Sequence, residues 1–232
     1  MAKTNRGARA MIGLNMTTAR WAGVTYLFLI AVGIFSLAYA PGQYFVRGDE
    51  VATFAKIQAN LVLFKSAIVA EMACYASFVL LVALLHRLFR EYSETLALVM
   101  VGFVLVSVPI SFIAIAEKMA VLEIVSQSGL KSAAVLSHFG RYSDILAPAE
   151  LFWGLWLLPY GLLVLKSGAI PRFFGVALIL GCCGYVAGVV VPLFWEGYSS
   201  SPIGKFARIP ATIGEIGGAF WLAVFGSRAP AK

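Results

Sequence analysis

The sequence predicts an all-α integral membrane protein, a bundle of six transmembrane helices with an outer helical cap, forming a single membrane domain over residues 1–232. Three observations predict it. The chain is 61% hydrophobic and only 12% charged, whereas soluble domains run at roughly 45–50% and about 25%. Six apolar runs are long enough to cross a bilayer as helices, which takes about 20 residues each. None of the runs alternates with period two, as barrel strands do, so helices must satisfy the backbone groups within lipid. This balance argues against a soluble enzyme, a disordered chain and a nucleic-acid reader, despite a net charge of +7.

The spans are expected near Trp21–Ala40, Asn60–Leu85, Thr95–Ala116, Pro148–Leu165, Phe173–Phe194 and Ile209–Phe225. The first ends in Ala38-Tyr39-Ala40, the small-x-small form of a signal-peptide cleavage site. Its apolar run exceeds the roughly 7–15 residues of a signal core, and Pro41 would follow the cut directly, so it is read as a retained span. Between spans 1 and 2, Asp49-Glu50 marks a helix start. Val51, Phe54, Ala55 and Gln58 follow at helical spacing, which reads as a short interfacial helix. Residues 117–147 mix apolar and polar side chains. They are read as helix continuing from span 3, a turn at Ser128-Gly129 and a second helix, together capping the outer face. Pro109 and Pro159 fall inside spans 3 and 4 and should kink them. Pro148 is expected to favour a helix start, with Glu150 in the first turn.

Six spans place both termini on one side, and the cations choose which. With the termini cytoplasmic, the inner segments carry ten cations: Lys3, Arg6, Arg9, Arg20, Arg87, Arg90, Lys166, Arg172, Arg228 and Lys232. The outer segments carry seven: Arg47, Lys56, Lys118, Lys131, Arg141, Lys205 and Arg208. The short loop from Lys166 to Arg172, with two cations and no acid, is the clearest inner loop. The expectation is a multi-pass protein of the cell inner (plasma) membrane with both termini cytoplasmic. Cys74, Cys182 and Cys183 all lie in apolar runs and read as small buried hydrophobes.

Several stretches follow one pattern. They are Trp153-Gly-Leu-Trp-Leu-Leu-Pro-Tyr-Gly161, Lys166-Ser167, Ile170-Pro171-Arg172, Gly175 and Gly184-Tyr185. Arg20-Trp-Ala-Gly23 with Tyr26, and Glu215 followed by Trp221-Leu222 and Gly226, extend it to most of the chain. In order and spacing these resemble the bacterial multi-pass membrane family catalogued as domain of unknown function 4386. The resemblance implies a membrane protein of six or so helices and carries no activity with it. Where the pattern has an arginine early in span 2, this chain has Lys65, so a role needing a planar guanidinium is in doubt.

Ionisable side chains inside spans are the best functional pointers in such a protein. Lys65, Glu71, Glu150 and Glu215 qualify as ligand-binding candidates. Lys65, Glu150 and Glu215 are expected in one layer of the outer half, and Glu71 deeper, near the midplane. Glu71 shares a helix face with Asn60, Ala67, Tyr75 and Phe78, while Lys65 lies about 120° away. Lys65 is therefore expected to pair with Glu215 or Glu150 on another helix, and Glu71 to be neutral. Gly181, Gly184 and Gly188 form one small-residue stripe, and Gly214 and Gly218 another. Such seams serve packing within the chain or a homo-oligomer interface through Gly184, Gly188, Gly214 and Gly218.

No catalytic or metal motif is present. His-Glu-x-x-His, Gly-x-Ser-x-Gly, a Walker loop and Cys-x-x-Cys are all missing. His86 and His138 fall on opposite sides of the expected topology, too far apart to ligate one haem. No cofactor and no metal is expected. The favoured reading is binding or transport of a small amphiphilic or ionic ligand through an outward-facing polar pocket. The alternative is a structural or accessory membrane subunit that binds another protein. A membrane-embedded enzyme using Glu150, Glu215 or His138 as acid or base is the weaker third.

Overall fold

The computed structural model describes residues 2–126 and 134–227, with side chains from Met16 onward. The described elements are α1 (Ala2–Ile34), a π-helical turn (Phe35–Tyr39), α2 (Ala40–Tyr44), α3 (Glu50–Ala59), α4 (Leu61–Phe89), α5 (Glu94–Ser126) and α6 (Val135–Leu155). They continue with α7 (Leu157–Ser167), α8 (Arg172–Val190), two short 3-10 turns, α9 (Pro202–Phe206) and α10 (Ile209–Phe225). No strand occurs among the described residues.

Five helical stretches are long and apolar enough to cross a membrane: Met16–Tyr44, Leu61–Phe89, Glu94–Ser126, Val135–Ser167 and Arg172–Leu193. The remaining apolar helix, α10, has 17 residues. Large apolar side chains such as Val62, Leu80, Ile113, Phe173 and Phe220 are exposed. A bilayer accommodates such a surface, whereas water does not.

Proline chemistry explains two irregularities. Pro41 has no N–H to give to Leu37, and just before it the first long helix widens into the π turn, where Ala40 N–H bonds Phe35 O. Pro159 likewise cannot donate to Leu155, and α6 ends there before α7 begins at Leu157. The expected kink in span 4 is thus a break between two helices. Pro148 lies inside α6 rather than at a helix start. The helix had already begun at Val135, so Glu150 is not a first-turn residue. Much of the segment read as a cap is the continuation of spans 3 and 4, since α5 runs unbroken to Ser126 and α6 begins at Val135. The expected turn at Ser128-Gly129 lies outside the described residues. So do the topology cations Lys131, Arg228 and Lys232.

The short helix α3 forms where the sequence placed it. The Asp49 carboxylate caps it by accepting from Ala52 N–H at 2.8 Å, and Thr53 ties it back to the Val46 carbonyl at 3.1 Å.

The chain packs as two compact units. Unit 1 comprises Met1–Leu27, Val79–Val106 and Glu150–Lys232; unit 2 comprises Phe28–Phe78 and Ser107–Ala149. In unit 1, helices approach to backbone contact through glycines. A Cβ at Gly184 would overlap the Ala207 carbonyl, and one at Gly23 the Ala223 backbone. Gly188 and Gly214 face Arg208 and Leu178, and Gly218 lies by the Tyr160 hydroxyl. All four glycines named for an oligomer seam therefore face residues of their own chain. In unit 2, a cluster of aromatic rings packs together. Tyr44 meets Phe64 edge-on at 5.1 Å and lies over Phe139 at 6.0 Å. Cys74 and Cys182 are buried as expected, but Cys183 is exposed, because it falls on the outward face of α8.

Candidate functional site

In unit 2, α4 carries Glu71 and Tyr75 one helical turn apart, on its buried face. Opposite them α5 presents a polar stripe. Ser107, Ser111 and Lys118 recur at helical spacing along it and are all buried. Lys118 Nζ donates to Glu71 Oε2 at 2.5 Å, with side-chain exposures of 2% and 0%. Tyr75 and Tyr142 hydroxyls donate to Glu71 Oε1 at 3.1 and 2.7 Å. The Tyr142 ring also lies under the ammonium, 4.1 Å from Nζ to centroid. Three donors converging on one carboxylate, with a cation among them, offset the cost of burying its charge.

This overturns one expectation. The sequence predicts a neutral Glu71, yet it is ion-paired to a cation from another helix. The cation comes from Lys118, which hydropathy assigned to the outer connection because the apolar run stops at Ala116 while the helix does not. The helical periodicity through Ser107, Ser111 and Lys118 was the signal that could have found it. Tyr142 and Tyr44 carried no comparable signal, since a tyrosine in a mixed segment is unremarkable.

Beside the pair lies a cavity of about 350 Å³, all of it within unit 2. Leu37, Tyr44, Phe45, Lys118, Phe139 and Tyr142 are among the residues that line it. Tyr44 is 2% exposed, and its buried hydroxyl has no hydrogen-bond partner among the described residues. A second polar group lies nearby on the same helices. Glu117 accepts from Arg141 Nε at 3.0 Å and contacts His138 Nδ1 at 2.7 Å, more exposed than the Glu71 pair.

Lys65 is exposed and, among the described residues, makes no ion pair. It sits on the outward side of α4, as the 120° offset from Glu71 requires. Other residues satisfy both of the acids, Glu215 and Glu150, that were expected to pair with Lys65. In unit 1, Glu150 accepts from Arg208 Nη2 at 2.7 Å, and that guanidinium stacks on Tyr185 at 4.8 Å. Glu215 accepts from the Tyr26 hydroxyl at 2.8 Å. Around it Trp156 and Tyr160 stack at 5.3 Å, and the Tyr160 hydroxyl is buried without a partner. No group of three or more His, Cys, Asp or Glu among the described residues is placed to hold a metal ion.

Long apolar helices, an apolar outward surface and buried polar pairs between helices define an all-helical chain of membrane-protein character. The chain belongs to the family described as domain of unknown function (DUF4386), whose model matches residues 21–226. No curated protein and no solved structure matches it.

Proposed function

We propose that the protein is a polytopic membrane binding protein that takes a small, apolar-bodied ligand into the cavity of unit 2. One observation supports this above the others: Lys118, almost wholly buried and held by Glu71, forms part of the cavity wall. A charge retained inside an apolar bundle costs stability unless it is paired, and a functional role explains why one would be kept. A cavity of about 350 Å³ falls within the range of small-molecule sites. Of the residues first singled out, Glu71 anchors this site from behind. Glu150 and Glu215 belong to unit 1 and Lys65 to an exposed face, so their ligand roles are secondary in this reading.

In the same proposal α10 is the sixth span. Its 17 apolar residues lie at the lower limit of what crosses a bilayer, roughly 17–25 residues. Six spans with the cation bias put both termini in the cytoplasm. Cysteine-accessibility labelling at positions 4 and 168 should then report the cytoplasmic side and at position 200 the outside. The same side for all three would overturn this topology.

The binding reading is tested by mass spectrometry of small molecules that co-purify with the protein. A Cβ at Gly140, which lines the cavity, would meet nothing within 4 Å, so Gly140→Trp is the variant chosen to fill the space. A compound enriched with the wild type and lost from Gly140→Trp is the expected result. Identical profiles from the two proteins would refute it.

A further inference from the structure

The cavity wall carries hydrogen-bonding capacity that the protein itself does not use. Lys118 has three N–H donors, and Glu71 Oε2 accepts one of them. The Tyr44 hydroxyl is buried at the same cavity and, among the described residues, bonded to nothing. Buried polar groups are normally satisfied, and an orphan on a cavity wall marks a place where something else completes it. Because an ammonium can only donate, the group that completes the site must accept.

Charge narrows the class further. Among the described residues lining the cavity Lys118 is the only charged one, and Glu71 already balances it. A carboxylate or phosphate at Nζ would place a second anion on an ammonium that has one, with no further cation lining the space. A cationic ligand would face Lys118 directly. An uncharged acceptor meets neither penalty. Leu37, Phe45, Leu136 and Phe139 supply apolar and aromatic walls for the rest of the molecule.

We infer that the cavity of unit 2 selects an uncharged carbonyl compound with an apolar body, its oxygen accepting from Lys118 Nζ and the Tyr44 hydroxyl. The inference rests on the binding function proposed above and adds the chemistry of the ligand's polar end. Three probes of matched size separate the possibilities: 2-acetylnaphthalene, 2-naphthoate and 2-ethylnaphthalene. Their binding to the full chain in detergent is measured by calorimetry at pH 8. The same titration of Gly140→Trp is subtracted, which removes partition into micelles; Ser143→Trp takes its place if Gly140→Trp does not purify as folded protein.

The ketone should bind most tightly, with the naphthoate at least about tenfold weaker. Tyr44→Phe should weaken the ketone about fivefold, the scale of one net hydrogen bond, and leave 2-ethylnaphthalene unchanged. If the naphthoate binds as tightly as the ketone or more so, the site takes anions and the inference fails while the pocket stands. If the ketone binds no better than 2-ethylnaphthalene, carbonyl recognition fails in the same way. If no probe distinguishes wild type from the filled-cavity variant, the inference and the binding function fall together.

Discussion

The two units hold their carboxylates in opposite ways. In unit 2, Glu71 is fully buried and takes three donors, one of them a cation. In unit 1, Glu215 is half-buried and takes one phenol, Tyr26, with no cation paired to it among the described residues. Their packing differs in parallel. Unit 1 brings backbones together at glycines, and in unit 2 the rings of Tyr44, Phe45 and Phe139 line the cavity. Unit 1 has a cavity of about 340 Å³ beside Arg20, Trp21 and Val24, and the cavity of unit 2 lies beside the Lys118–Glu71 pair. The buried ion pair of unit 2 has space beside it for a third party.

The largest expected effect would break this contrast at its centre. Lys118→Met strands the Glu71 charge and should cost about 3–5 kcal/mol, whereas Lys118→Met with Glu71→Gln should recover most of the loss. Thermal unfolding in detergent reads both, and simple additivity would show that the pair is not a unit. Glu71→Gln alone should also destabilise, since it strands Lys118.

Gly184→Val tests unit 1. Its Cβ would meet the Ala207 carbonyl, so the helices must separate at about 1–3 kcal/mol or more. Gly102→Val, at a position where a Cβ meets nothing within 4 Å, should stay near its helix-propensity effect, well under about 1 kcal/mol. Equal melting shifts would mean that unit 1 is not packed through its glycines.

Two tyrosines of unit 2 should respond with opposite signs. Tyr142→Phe removes a donor from Glu71 and should lower stability by about 1–2 kcal/mol, while Tyr44→Phe removes an unpartnered hydroxyl and should be neutral or stabilising by about 1 kcal/mol without added ligand. A large loss for Tyr44→Phe would show that its hydroxyl is already bonded.

The smallest effect is expected at Lys65. Being exposed and without an ion pair, it should tolerate Met within about 0.5 kcal/mol. A loss comparable to that of Lys118→Met would restore Lys65 as a structural cation.

The contrast also explains what could be read from the chain alone. Apolar run length located the long helices, because a bilayer imposes that length on any sequence. The angular offset placed Glu71 inward and Lys65 away from it, since 100° per residue needs no tertiary knowledge. The partners were not legible in the same way. Lys118 lies past the apolar run of α5, and hydropathy averages across a window rather than following a helix face. Arg208 lay in a loop by hydropathy, yet it serves Glu150 from the start of α10. Tyr26 and Tyr142 were missed because a phenol pairs with a carboxylate only when the fold brings it there. Glycine spacing revealed the seams, but their partner within the same chain became visible only with the fold.

The π turn at Phe35–Tyr39 bears on how the cavity keeps its lining. Five residues per hydrogen-bonded loop instead of four means that the chain carries one residue more than an unbroken α-helix needs there. Each residue turns a helix by about 100°. Everything after the turn is therefore set in phase by that extra residue, including Pro41, Tyr44 and Phe45 on the cavity wall. Were Phe35–Tyr39 to run on as α-helix at unchanged length, those three side chains would rotate away by about a quarter of a revolution. The cavity would lose one wall with no substitution made in it. The backbone geometry of that one turn, and not only the residues lining the cavity, thus sets the site from a distance.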